Sequence, residues 1–195
     1  MNTKYNFDLI RDRLQKSLSN KRYIHTLGVE KTAVLIAERY NVGIEKVRVS
    51  ALLHDCAKDI SNNQKLEICK KYNIEVNKQE NDNPDLLHAK VGAIIAKTIY
   101  NIDDEEILNA IIYHTTGRPN MSILEKIIYV SDYIEPGRTR APHLKEIRAL
   151  VNQDLDKALL FILEDTINYL QENNSYIVPI TKDAYIYYKQ IIINR

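Results

Sequence analysis

The sequence predicts an all-α fold. Three observations lead there. Apolar residues recur at three- and four-residue spacing along nearly the whole chain. Capping residues stand ahead of several of these stretches. No segment shows sustained strand alternation bounded by turns.

Each element follows in chain order. Residues 7–18 carry Phe7, Ile10, Leu14 and Leu18 at helical spacing. Residues 21–40 carry Ile24, Leu27, Val34 and Leu35, and Asn41 with Gly43 supplies a stop. Residues 44–57 read as a third helix with His54-Asp55 near its end, and 62–72 as a short fourth. The polar stretch from Asn73 to Asp85 is expected to be looped, before a helix over about 86–100. Asp103 with Glu106 makes a capping-box pattern ahead of Ile107, Leu108, Ile111 and Ile112. Ser122 with Glu125 makes another ahead of Ile127, Ile128, Val130 and Ile134, and Pro136-Gly137 ends that helix. Residues 142–151 and 153–172 give two more. A last helix begins just after Pro179, which suits a first turn. The expectation is a single helical domain over residues 1–195.

Composition narrows the function classes. The chain has 27 basic and 26 acidic residues, with a formal net charge of +1. Basic residues are scattered among acids, so no nucleic-acid partner is expected. No apolar run approaches the length of a membrane span, and the amino-terminal stretch lacks the apolar core of a signal peptide. Cys56 and Cys69 form no CxxC pair, which fits a reducing compartment. A cytoplasmic protein with no membrane partner is expected; dimerisation is left open.

Four of the five histidines stand in a pattern with acids: His25, then His54-Asp55, His88, His114 and Asp132. A single histidine on an apolar helix is more commonly packed core. His25, His54 and Asp132, however, each lie inside an apolar helical segment, where an unpaired polar group is costly. One shared buried object, a metal ion, explains all of them together. Imidazole and carboxylate suit iron, manganese, zinc or cobalt. Adjacent side chains at a helix end diverge by about 100°, so both members of the His54-Asp55 pair can meet one ion, or the carboxylate can bridge two. Gly28 and Gly92 each lie one turn from a candidate ligand, leaving room for an ion or substrate, or permitting close helix packing.

The segments RYIHTLGVEKTA, ALLHDCAKDI, LLHAKVGA, YHTTGRP and LEKIIYVSDYIEPGRTR resemble the HD-domain phosphohydrolases, and within them the bacterial YqeK-type symmetrical diadenosine tetraphosphate hydrolases. The likeness covers about residues 20–140, with helices from 142 to 195 completing one HD domain. It implies a helical bundle, one or two divalent metals with iron foremost, and cleavage of diadenosine tetraphosphate into two ADP by metal-activated water. The metal core falls on His25, His54, Asp55 and Asp132. His88 and His114 either complete a second metal site across Asp55 or donate to phosphate.

Asp55 is the central catalytic carboxylate of this scheme. Lys58 is assigned to phosphate, and Asp59 to orienting water or Lys58. Arg22 lies one turn before His25. Thr115 and Thr116, in the loop continuing through Gly117 and Arg118, can cradle phosphate through backbone N–H groups. Arg138, beside Gly137, offers a guanidinium fork, and Arg140 follows it. The resemblance also puts Tyr176, Ile177, Pro179 and Ile180 near the nucleotide. Two other readings use the same ligands: an HD-type nucleotidase or alarmone hydrolase acting on another nucleotide, and a non-catalytic nucleotide sensor.

Overall fold

A computed structural model describes residues 4–195. Eleven α-helices and one 3-10 turn follow in order: α1 Phe7–Ser17, α2 Asn20–Arg39, α3 Ile44–Leu53, α4 Asn62–Lys71, α5 Lys78–Asp82, the turn Pro84–Leu87, α6 His88–Ile99, α7 Glu105–Ile112, α8 Ile123–Ile134, α9 Leu144–Leu150, α10 Leu155–Glu172 and α11 Pro179–Ile193. No strand occurs among the described residues. No helix among them is long and apolar enough to cross a membrane.

Helix boundaries follow local chemistry. Ser19 caps α2, Ser61 with Gln64 boxes α4, and Ser122 with Glu125 boxes α8. Asp104, not Asp103, caps α7: its side chain accepts from Glu106 N–H. The stretch expected to loop contains α5, started by a capping box of Asn77 with Glu80. Stops are made with asparagine more than glycine. Asn41, Asn73, Asn101 and Asn174 follow α2, α4, α6 and α10 with φ of 54°, 54°, 55° and 49°. Three of these ends close the six-residue Schellman bond, Val42 to Ala37, Ile74 to Cys69 and Ser175 to Leu170.

The packing places α2, α3, α7 and α8 at the centre, with α1 against α2 and α3, α6 against α7, and α10 carrying α9 and α11 against α8. Val29, Ala33, Leu52, Leu53, Ile111 and Ile127 are among the buried apolar side chains of that core. A satellite cluster of Ala57, Cys69, Leu87 and Val91 lies under α4 and α6.

One buried charge sits in that outer region. Lys65 is 1% exposed, and its amine reaches Asp85 Oδ1 at 3.1 Å. Asp85 Oδ2 takes Lys58 Nζ at 2.8 Å. Burial pushes the Asp85 carboxyl up, but the two lysines outweigh it and hold the group at about 2. Asp85→Ala strands the Lys65 ammonium. A broken buried pair costs about 3–5 kcal/mol, and the half-exposed Asp85 side chain argues for the low end, about 3 kcal/mol. A urea titration against wild type checks this; an unchanged midpoint refutes it.

Candidate metal centre

Five elements deliver the six side chains of the sequence pattern to one place. His25 lies in the second turn of α2, and Asp132 in the last turn of α8. Helix α3 stops at Leu53, four residues before its expected end, and His54 and Asp55 occupy the turn beyond it. His88 opens α6, and His114 lies two residues past α7. His54, Asp55, His88 and His114 are buried; His25 and Asp132 are half-buried. The imidazoles run in a chain, His25 to His54 at 5.5 Å, His54 to His114 at 5.0 Å and His114 to His88 at 5.3 Å between ring centres.

Asp55 divides this cluster in two. Its Oδ2 faces His54 Nε2 at 3.5 Å and His25 Nε2 at 3.8 Å. Its Oδ1 faces His88 Nε2 and His114 Nε2, each at 3.5 Å. Asp132 Oδ1 closes the first side, 3.0 Å from His25 Nε2 and 4.0 Å from His54 Nε2.

The ring orientations have a local cause. His54, His88 and His114 each donate Nδ1–H to the carbonyl three residues back: Ala51 at 2.7 Å, Asp85 at 2.6 Å and Ile111 at 2.7 Å. Each sits where a helix begins or ends, so that carbonyl can accept from the ring; Asp85 O takes the His88 backbone N–H as well. A carbonyl can only accept, so Nδ1 carries a proton in each ring and Nε2 is the atom turned toward Asp55. In a neutral ring that Nε2 lone pair faces a carboxylate oxygen, and positive charge, as a proton or a metal ion, resolves the repulsion.

Two further observations test that fit. The buried Nε2 atoms of His25 and His54 are without an assigned hydrogen-bond partner among the described residues, while carboxylate oxygens stand 3.0 Å from the first and 3.5 Å from the second. Three overlapping triads, His25–His54–Asp55, His54–His114–Asp132 and Asp55–His88–His114, each bring their ligand atoms within 4.8 Å of one another. The electrostatics agree. Burial opposes charge on His25 and His54, yet Asp132 and Asp55 draw both rings upward. Burial, with His114 and Lys58 nearby, pushes His88 down to about 4, so it stays neutral. Burial works to raise Asp55, but His54 and His114 hold it well below the usual carboxylate range. Nitrogen and carboxylate donors so placed can hold a divalent metal.

The other expected residues divide. Arg22 Nη1 donates to Asp55 Oδ2 at 2.6 Å. Arg138 Nη2 is 3.4 Å from Asp132 Oδ1 and half-exposed. Lys58 stands 3.4 Å from His88 Nδ1. Thr115 and Arg138 line a cavity of about 480 Å³ beside His114 and Asp132, whose far wall includes Tyr133 and Tyr169. Thr116 Oγ1 donates to Gly117 O. Asp59 is exposed, and its carboxylate accepts from Ser19 N–H at 2.7 Å at the start of α2. Arg118 is taken by Glu125 in a two-pronged pair at 2.7 and 2.9 Å. Tyr176 and Ile177 lie in the connection into α11 and Pro179 and Ile180 open that helix; none of the four lines the cavity.

The glycine spaces are filled by protein. A Cβ at Gly92 would meet Ile111 Cγ2 at 3.3 Å and Cys56 Sγ at 3.6 Å, so its bare position serves helix packing. One at Gly28 would lie 2.7 Å from Glu135 Oε2. Glu135 is buried and its Oε1 is 3.2 Å from His25 Nδ1. Sequence reasoning missed it, because no spacing rule links position 135 to position 25.

The HD domain family model matches residues 22–137. A Bacillus subtilis protein named bis(5'-nucleosyl)-tetraphosphatase, symmetrical, is 37% identical over 179 residues, covering 92% of this chain and 94% of its own length. A Staphylococcus aureus protein of the same name is 38% identical over 176 residues, covering 89% and 90%. A Clostridium acetobutylicum crystal structure, described as a predicted HD superfamily hydrolase involved in NAD metabolism, superposes with a TM-score of 0.91 at 44% identity, covering 96% of this chain and 98% of that one.

Proposed function

Since this chain belongs to the HD-domain family, we propose that it is a metal-dependent phosphohydrolase cleaving diadenosine tetraphosphate symmetrically into two ADP, the activity its relatives' names carry. The observation that carries the metal part of this reading is the two-sided carboxylate of Asp55, with histidine nitrogens facing both of its oxygens.

In this scheme His25, His54, Asp55 and Asp132 hold one divalent cation. His88 and His114 hold a second or meet phosphate oxygens. A bound cation supplies Lewis acidity and positive charge against the phosphate chain. Iron is the proposed native ion; manganese, cobalt and zinc suit the same donors.

The chain's own cations finish the phosphate site. Arg22 and Arg138 are paired to the cluster's carboxylates and partly exposed, so their guanidinium groups can also reach phosphate oxygens. Lys58, held by Asp85, adds a cation beside His88. Thr115 and Thr116 meet the phosphates from the loop after His114. The tyrosines lining the cavity, Tyr133 and Tyr169, offer apolar faces to a base. Tyr176, Ile177, Pro179 and Ile180 approach the nucleoside from the start of α11 and the residues before it. Asp59 acts at a distance, anchoring the start of the helix that carries Arg22 and His25. Water attacks one of the two central phosphorus atoms. The bridging oxygen between the central phosphates then leaves with the second ADP, its charge met by these cations.

Two free, buried cysteines support a reducing, cytoplasmic setting. A single domain spanning residues 1–195 accommodates every element of the site.

The test is a product analysis on metal-stripped and metal-restored protein, with diadenosine tetraphosphate, ATP, a guanosine alarmone and NAD as substrates. ADP as sole product, lost on chelation and restored by iron or manganese, is the expected result. ATP plus AMP, or activity unchanged by chelation, overturns the reading.

A further inference from the structure

His25 differs from the other three clustered histidines in how its ring is held. They use backbone carbonyls three residues back at helix ends. His25 is the sixth residue of the twenty-residue α2, where the carbonyls of the preceding turn belong to the helix's own ladder. Its Nδ1 therefore needs an acceptor from elsewhere in the fold.

We propose that Glu135 is that acceptor and acts as a positioning residue, orienting His25 so that Nε2 faces Asp132 and Asp55. The inference rests on the metal reading above. Glu135 is 5% exposed and lies at the C-cap of α8, three residues past Asp132. Its Oε1 sits 3.2 Å from His25 Nδ1, and its Oε2 accepts Gly137 N–H at 2.6 Å. Both oxygens are thus committed as acceptors.

The surroundings are cut to this carboxylate. A side chain at Gly28, one turn beyond His25, would strike Oε2 at 2.7 Å, and one at Gly137 would stand 3.0 Å from both oxygens. The backbone of the turn is clamped from α9. Arg148 donates to the carbonyls of Ile134, Glu135 and Arg138, each at 3.0 Å. A carboxylate on the far nitrogen of a ligating imidazole fixes its orientation and tautomer and raises its basicity.

This explains why glutamate, and not its amide, suits the position. Glutamine has one acceptor for two donors, so either His25 Nδ1–H or Gly137 N–H would meet an NH2 group. Gly28→Ala leaves Glu135 in the chain but takes its space. Alanine is otherwise the better helix residue, so a general loss of folding is not the expected outcome.

Manganese affinity of the metal-stripped protein, measured by competition with a chelator, and thermal unfolding of the same metal-free samples decide the matter. Glu135→Gln and Gly28→Ala should each weaken manganese binding about 10- to 100-fold. Their metal-free melting temperatures should stay close to wild type, and Glu135→Asp should recover part of the affinity. Wild-type affinity in both variants overturns the proposal, as does a loss of affinity only in proportion to a loss of folding. Wild type that binds no manganese instead overturns the metal reading beneath it.

Discussion

Asp55→Ala is expected to lower kcat for diadenosine tetraphosphate by about 10³-fold or more, and to leave the protein with less than half the wild-type metal content. Among the described residues, Asp55 is the only group whose two oxygens face both histidine pairs, His25–His54 and His88–His114. In the proposed scheme its loss would remove the one carboxylate common to both sides of the cluster. Charge stabilisation by a bound metal is worth several kcal/mol in the transition state. At 1.36 kcal/mol per tenfold in rate, about 4 kcal/mol corresponds to about 10³. His88→Ala should cost less, because it removes one of the two histidines on the Oδ1 side and leaves Asp55 in place. Metal analysis and single-substrate kinetics on the two variants separate these effects. Retention of a tenth of the wild-type kcat by Asp55→Ala would remove this residue from the centre of the mechanism.

Ile127→Ala is expected to produce the largest loss of stability. Ile127 is completely buried in α8, the helix that packs against α2, α3, α7 and α10. With neighbours on so many sides the space left cannot collapse, and truncating a buried isoleucine costs about 2–5 kcal/mol. For a chain of this size each kcal/mol lowers the melting temperature by about 2–4 °C. Position 127 is five residues from Asp132, on a different face of α8, so the folded fraction should keep near-normal metal content. Leu9→Ala, at a side chain 45% exposed, serves as the control and should stay within about 0.5 kcal/mol of wild type. A melting temperature for Ile127→Ala equal to that control would mean that α8 is not the centre of the packing.

Much of the fold was legible in the chain because helices announce themselves locally. The capping box of Ser122 with Glu125 and the period of Ile127, Ile128 and Ile134 identify α8 without reference to any other element. The asparagine stops were legible at Asn41 but not weighed at Asn73, Asn101 and Asn174, where the same left-handed turn recurs. The shift of one residue between Asp103 and Asp104 at α7 shows the limit of such signals: either acid can cap a helix, only Asp103 has a glutamate three residues on, and the backbone nonetheless selects Asp104. Helix α5 was hidden because its polar residues have no apolar stripe, although Asn77 and Glu80 marked its start.

By itself, the sequence determined most of the helices and which side chains could carry metal chemistry, since caps and apolar period act within about one helical turn. The tertiary structure alone decided where those side chains point. It set Asp55 between two histidine pairs, drew Asp59 away to the start of α2, filled the space beside Gly28 with Glu135, and tied Lys65 to Asp85. Apart from the adjacent His54 and Asp55, these pairings join residues from 20 to 110 positions apart. They depend on which helix faces pack together, and no local spacing encodes that.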